Sequence, residues 1–578
     1  MKRWFKYIKP YLPYFILGPM CMIVEVIGEI LMPRFLAAII NMGEDANPGD
    51  TGNIIGICAL MILTAVLMMA GGIGGAYFGG KASVNFASDL RRDAYAKIQS
   101  YSFANIDRFS TSSLVTRLTN DVTQLQNFVN MLLRLALRAP GMMIGGLIMA
   151  IILKPSLSVV LAVTMPLLVI SIGITIFSAF GRFGAMQKKI DALNSTVREN
   201  VTNVRVVKSF VREDYEVTKF EAANRNLKDA GMRAMKIMII TSPILNFFMY
   251  ATIIAVVWFG HGIVLDGGME IGDLSAFITY VNQILMSLMM VAFLLMTSSR
   301  AMASGKRICE VLDEQLDLSD ENAAYPDKTV THGDIDFKNV SFRYYKSSDE
   351  EVLKNINLHI PAGTTVGIIG STGSGKTTLV SLIPRLYDTD SGAVLVDGTD
   401  VRNYSLRHLR DGIGMVLQKN TLFSGTIKEN LRWGDENATA AEIKTASEHA
   451  AADKFISTFK DGYDTVIEKG GANVSGGQKQ RLCIARALLK KPKVLILDDS
   501  TSAVDTATER QIRDAFREDL PDCTKIIIAQ RISSVRDADM IVVMDEGQIT
   551  GIGTHDELME SNTEYQEIYS SQMDRKEA

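Results

Sequence analysis

Only five cysteines occur in the 578 residues, and Cys21, Cys58, Cys309, Cys483 and Cys523 share no metal-ligand spacing. That excludes a disulfide scaffold and a zinc site of paired thiolates. Internal repeats and low-complexity tracts are absent, which excludes a solenoid or a disordered tail as the organising theme. Glycine and proline are missing from two long segments, Lys81 to Ala139 and Ala185 to Ala230. Structureless loops of that length are uncommon, so the lack of breakers predicts continuous helices there. A large charge imbalance is missing too. The net charge of −4 gives no sign of a nucleic-acid partner, and none is expected.

What is present is unevenly placed. Apolar residues make up 47 % of the chain although 21 % is charged, and the long apolar stretches fill the first 300 residues. Stretches near 14–40, 53–80, 131–153, 156–180, 238–265 and 274–299 can each cross a hydrocarbon core of about 30 Å as a helix. The first is too long for a cleavable signal peptide and lacks a small-residue cleavage site. Lysine and arginine crowd the N-terminus (Lys2, Arg3, Lys6, Lys9) and the segments after the second and fourth spans. The opposite loops hold Glu44, Asp45, Asp50, Asp266, Glu270 and Asp273, with Lys154 the only base. The positive-inside rule therefore predicts a multi-pass protein of the cytoplasmic membrane with both termini cytosolic. About 20 residues of helix beyond the bilayer would project roughly 30 Å.

The second half carries phosphate chemistry. Gly370, Ser371, Thr372, Gly373, Ser374, Gly375, Lys376, Thr377 and Thr378 form a complete Walker A loop between an apolar strand and a helix. Its backbone N–H groups form an anion nest, Lys376 reaches the β- and γ-phosphates, and the Thr377 hydroxyl can ligate Mg²⁺. The strand Val494–Asp498 ends in a carboxylate suited to Mg²⁺, as a Walker B segment does. These residues predict binding of ATP and Mg²⁺. Domain limits follow: a transmembrane domain over 1–305, a polar, acidic linker over 306–333 and a nucleotide-binding domain over 334–578.

Between the two phosphate motifs lies Val474-Ser475-Gly476-Gly477-Gln478, and here the chain resembles the ATP-binding cassette (ABC) proteins. The resemblance covers essentially the whole chain and implies six transmembrane helices fused to an α/β P-loop cassette, the half-transporter of a type IV exporter. It implies that Tyr344 stacks on adenine, that Gln418 joins Thr377 and Asp498 around Mg²⁺, and that Asp505 belongs to the D-loop. It further implies that Ser475, Gly476, Gly477 and Gln478 face a nucleotide held by a second subunit. The long cytosolic segments resemble the intracellular loops of such exporters, with coupling tips expected near Phe103–Phe109 and Arg212–Phe220.

Two catalytic positions depart from the family pattern. Asp499 stands where the general-base glutamate follows the Walker B aspartate, and Gln530 stands where the H-loop histidine orients water. Losing one methylene withdraws the carboxylate by about 1 Å, and general-base help requires hydrogen-bond reach. Glutamine cannot carry a proton as imidazole does. The expectation is a site that binds ATP and hydrolyses it poorly, in a heterodimer whose partner supplies both missing groups. The resemblance is then to the degenerate-site subunit of bacterial heterodimeric multidrug exporters, with amphipathic small molecules or drugs as cargo and membrane lipids as surroundings. A lipid flippase, an inward carrier, or an ATP-gated regulatory or channel-like membrane protein are the alternatives. Glu25 and Glu29, one turn apart in the first span, read either as a cation- or proton-linked group or as structural partners of Arg34 or a neighbouring helix. Met286, Met289, Met290 and Met296 either line an adaptable cavity or face lipid and neighbouring helices.

Overall fold

The computed structural model describes residues 2–44, 51–321, 323–344, 350–499 and 506–577. The chain forms two units, Met1–Gln99 with Ser112–Asp313 and Ser100–Thr111 with Glu314–Ala578. The loop acids Asp45 and Asp50 lie outside the described residues.

Among the described residues six helices are long and apolar enough to cross a membrane: Arg3–Gly43, Thr51–Gln99, Thr111–Leu153, Pro155–Thr202, Pro243–Leu265 and Ile271–Asp313. Their outward faces are apolar without being packed; Ile62 and Ile152 are each 66 % exposed and Trp258 is 77 % exposed. Lipid, rather than a protein core, is the solvent such faces match. The breaker-free segments are helical apart from short turns at 100–102, 110, 136–137, 203 and 210–212, and the long helices continue out of the spans. The helix Thr51–Gln99 runs 49 residues, Pro155–Thr202 runs 48 and Glu213–Leu265 runs 53. At about 1.5 Å per residue these exceed 70 Å, over twice a bilayer core.

The first tip forms the helix Phe103–Phe109, started by a Ser102–Asn105 capping box. The second lies elsewhere than expected. The short helix is Val204–Ser209, whereas Arg212–Phe220 already belongs to the next long helix. The reason is electrostatic: Glu213, Asp214 and Glu216 occupy that helix's first turn, where negative charge is favoured. Val211, in a left-handed conformation at φ 50°, makes the turn without glycine.

Glu25 and Glu29 both pair with Arg138 from the neighbouring helix Arg138–Leu153, at 3.0 Å for Glu25. Arg34 instead donates to Asp273 at 2.7 Å. The carboxylates therefore take the neighbouring-helix partner, and the Gln283 amide adds a 2.8 Å hydrogen bond to the Glu29 carbonyl. Met286 and Met296 are each 52 % exposed in this chain.

The second unit starts with a four-stranded antiparallel sheet in the order Leu353–Ile360, Ile335–Phe342, Ser391–Val396, Thr399–Asp400. A six-stranded sheet follows in the order Gln548–Gly553, Met540–Asp545, Thr365–Gly370, Thr524–Ile528, Val494–Asp498, Ile413–Val416. Only its first pair is antiparallel. The central strands are continuous apolar runs because helices cover both faces, as parallel sheets require. Helices Ile427–Leu431, Ala440–His449, Asp453–Ile456 and Gly476–Leu489 form the helical part. The tip Phe103–Phe109 belongs to this unit. Asn105 donates to the Gln315 carbonyl at 2.9 Å, Arg108 pairs with Glu314 at 2.8 Å and Tyr387 donates to Asp107 at 3.0 Å.

Candidate active site

Three parallel strands end side by side and place the chemistry. Thr365–Gly370 leads into the Walker A loop, Val494–Asp498 ends at the two aspartates, and Thr524–Ile528 between them leads to Gln530. This is the carboxyl edge of an open parallel sheet, where such folds bind ligands.

The loop closes tightly. Gly370 has φ +152°, and a Cβ there would lie 2.0 Å from the Met544 carbonyl oxygen. Gly375, at φ +94°, sits directly before the helix Lys376–Leu382. Lys376 folds across the loop, donating to the carbonyls of Gly370 at 2.9 Å and Ser371 at 2.6 Å and to the Ser374 hydroxyl at 3.2 Å. Burial lowers its pKa, and the charges of Asp498 and Asp499 oppose that shift. An ammonium held over a glycine-rich loop fits a bound polyphosphate. Thr377 Oγ1 donates to Asp498 Oδ1 at 2.9 Å, so the hydroxyl and carboxylate expected around Mg²⁺ already converge. Asp498 is 1 % exposed, and burial raises its pKa against the Thr377 hydrogen bond. This donor set fits the ion.

Tyr344 is 41 % exposed and its hydroxyl lies 2.9 Å from Thr378 Oγ1, at the start of the Walker A helix. Tyr387 meets its ring edge-on at 5.2 Å. That leaves an aromatic surface beside the loop, of the kind an adenine stacks on. Gln418 follows the strand Ile413–Val416 and hydrogen-bonds the Asp499 carboxylate.

The two departures from the family pattern meet. Asp499 adopts a left-handed conformation at φ 47°, and its N–H donates to the Ile528 carbonyl at 3.1 Å. Gln530 Nε2 then donates to Asp499 Oδ2 at 2.8 Å. The carboxylate at the base position is thus held by two glutamine side chains, and burial raises its pKa despite them.

The signature residues sit apart from this constellation. Ser475 caps the helix Gly476–Leu489; its hydroxyl accepts from Gln478 N at 3.3 Å and its own N–H donates to Gln478 Oε1 at 2.9 Å. Ser475 and Gly476 are exposed and Gly477 is half-buried. Asp505 lies outside the described residues.

Sequence reasoning missed Gln572. From the helix Thr563–Glu577 it donates to the Gln530 carbonyl at 2.8 Å and accepts from Ile532 N at 2.9 Å, clamping the H-loop on both sides. No motif marks it, because it acts across 42 residues through backbone groups. Asp545, which accepts from Ser371 Oγ at 2.8 Å, was equally unmarked.

The comparisons agree with this geometry. Residues 15–288 match the ABC transporter transmembrane region and residues 353–502 the ABC transporter family. An uncharacterized ABC transporter ATP-binding protein, YfiB of Bacillus subtilis, is 38 % identical over 100 % of this chain and 99 % of its own. A putative multidrug export ATP-binding/permease protein, YgaD of the same organism, is 33 % identical over 99 % of each chain. The structure of a bacterial Atm1-family ABC exporter with ATP bound superposes with a TM-score of 0.78 at 24 % identity, covering 97 % of this chain and 98 % of the other, which is a likeness of fold. Six membrane-spanning helices joined to a cassette whose Walker A loop, Walker B aspartate and signature are all in place make this chain a member of the ABC transporter family, a half-transporter of the exporter fold with an ATPase domain coupled to transport.

Proposed function

We propose that this protein is one half of a heterodimeric ABC exporter of amphipathic small molecules or drugs across the cytoplasmic membrane. It contributes a weakly hydrolysing ATP site of its own and an intact signature for the partner's site. The observation that carries this reading is the hydrogen bond between Gln530 and Asp499. Both positions that should activate water are changed, and they are changed into a mutually satisfied pair, while the groups for binding remain.

Each residue has a definite task. Tyr344 offers its ring to adenine, the loop amides and Lys376 hold the phosphates, and Thr377, Asp498 and Gln418 would hold Mg²⁺. Bound there, that ion supplies charge neutralisation at the β- and γ-oxygens. Asp499 is short, half-buried and already shared between Gln418 and Gln530, so it is poorly placed to accept a proton from water. Losing general-base help slows such a step by about 10²–10⁴. Ser475 and Gly477, exposed or half-buried at a helix N-terminus, are free to meet a γ-phosphate on another subunit. Both termini are on the cytosolic side in this reading, as the lysine and arginine distribution favours. The relative YgaD, described as a putative multidrug export protein, supports the cargo class.

Purified alone, the chain should bind ATP with ordinary affinity and turn it over at a small fraction of the rate of its complex with the partner half. Lys376→Ala should weaken that binding. Equal turnover with and without the partner would refute the proposal.

A further inference from the structure

At the opposite end of the cassette's parallel sheet from the nucleotide loop lies a second, basic pocket. Lys525 is the second residue of the strand Thr524–Ile528 and stands in register with Thr365, the first residue of the strand leading to the Walker A loop. Its side chain is almost entirely enclosed, the residue being 4 % exposed, and it lines a cavity of about 130 Å³. Arg510, Arg513 and Arg517 line the same cavity. Their spacing of three and four residues places them on one face of the helix Thr506–Asp519. The acidic lining residues are Asp514 and Asp537, so four cations face two carboxylates.

The lysine is the informative member. Among the described residues its ammonium forms no hydrogen bond or ion pair; Asp539 and Asp522 reach it only through longer-range attraction. The Asp539 carboxylate is committed to the Thr365 N–H at 2.7 Å. Arg513 is steered by the Ser533 carbonyl at 2.8 Å, which fixes its guanidinium at the cavity. Enclosing a charged side chain to 4 % exposure is unfavourable, and burial lowers the Lys525 pKa accordingly. A methionine or leucine would fill the same strand position with no such penalty. An anion of two charges would complement the excess of cations, and guanidinium and ammonium groups converging on a small cavity suit a tetrahedral oxyanion.

We propose that this pocket, centred on Lys525 with Arg513 and Arg517, binds a small phosphate-class oxyanion at a site separate from the nucleotide. Free phosphate and a phosphomonoester share the required chemistry. The site lies at the amino ends of the two strands whose carboxyl ends carry Gly370 and lead to Gln530.

The test uses the full chain in nanodiscs, with the nucleotide site saturated by a non-hydrolysable ATP analogue so that the Walker A loop cannot report. Titration calorimetry with inorganic phosphate should show one saturable site per chain. Lys525→Met should weaken it by about tenfold or more, and the exposed, fold-neutral Arg517→Gln should weaken it several-fold. In phosphate-free buffer Lys525→Met should leave the melting temperature unchanged or higher, since an enclosed charge is removed from an excess of cations. Comparable binding of glycerol phosphate would identify an ester as the occupant, and orthophosphate alone would identify the free ion. Absence of saturable binding, or unchanged binding in both variants, overturns the proposal.

Discussion

Asp498 shows at the residue scale how a binding group is maintained against stability. Its carboxylate is buried, and its pKa is raised chiefly by that burial, with the neighbouring charge of Asp499 adding to the shift. A raised carboxylate pKa means the folded chain holds a proton more readily than the unfolded one. The destabilisation is therefore fully present above the folded-state pKa and vanishes below the unfolded value near 4. Asp498→Asn should accordingly raise the melting temperature of the nucleotide-free chain at neutral pH. The gain should fade as the pH falls through the carboxylate range. The same substitution should abolish Mg²⁺-dependent ATP binding, which a titration with and without the ion reads directly. That Asp498 would stand beside Thr377 was legible because the two Walker motifs each end an apolar strand. Gln572 was not legible, since a glutamine that holds backbone groups of a distant loop has no local signature.

Short helices carry the function at the next scale. The signature helix Gly476–Leu489 starts with an exposed capping box that makes no use of its own nucleotide loop. Ser475→Ala and Gly477→Glu should thus leave ATP binding by this chain intact while lowering ATPase of the assembled pair by about 10²-fold or more, since they remove stabilisation from the partner's site. Near-normal turnover in those variants would place the signature elsewhere. The tip helix Phe103–Phe109 reaches the adenine side through Tyr387, whose ring lies 6.1 Å from Phe103 and 5.2 Å from Tyr344. Tyr387→Phe keeps both ring contacts and removes the hydroxyl bond to Asp107. Transport per ATP hydrolysed should fall by about two- to tenfold, the worth of one hydrogen bond, with ATP affinity unchanged. The first tip was legible from its position inside the breaker-free segment Lys81 to Ala139. The second was displaced because a breaker-free segment carries no punctuation: Val211 turns the chain with a positive φ that its residue type does not advertise.

At the scale of the whole molecule, the two units meet two solvents. One unit turns apolar side chains outward along its long helices, and the other buries them in a sheet of parallel strands. Composition alone made that division legible, because helices crossing a bilayer and strands buried on both faces are the two settings that demand long apolar runs. The partner choice for Glu25 and Glu29 was not legible, since Arg34 is near in sequence whereas Arg138 is near in space. The central claim, that this chain's site binds ATP but lacks its water-activating pair, is tested most directly in the assembled transporter with the partner's catalytic glutamate removed, so that only this site reports. Steady-state ATPase should be very low for the native chain and little improved by Asp499→Glu or Gln530→His alone. The double substitution should exceed the sum of the two, because residues that act as a unit are not additive. High turnover by the native site, or a double variant no better than its singles combined, would contradict the account.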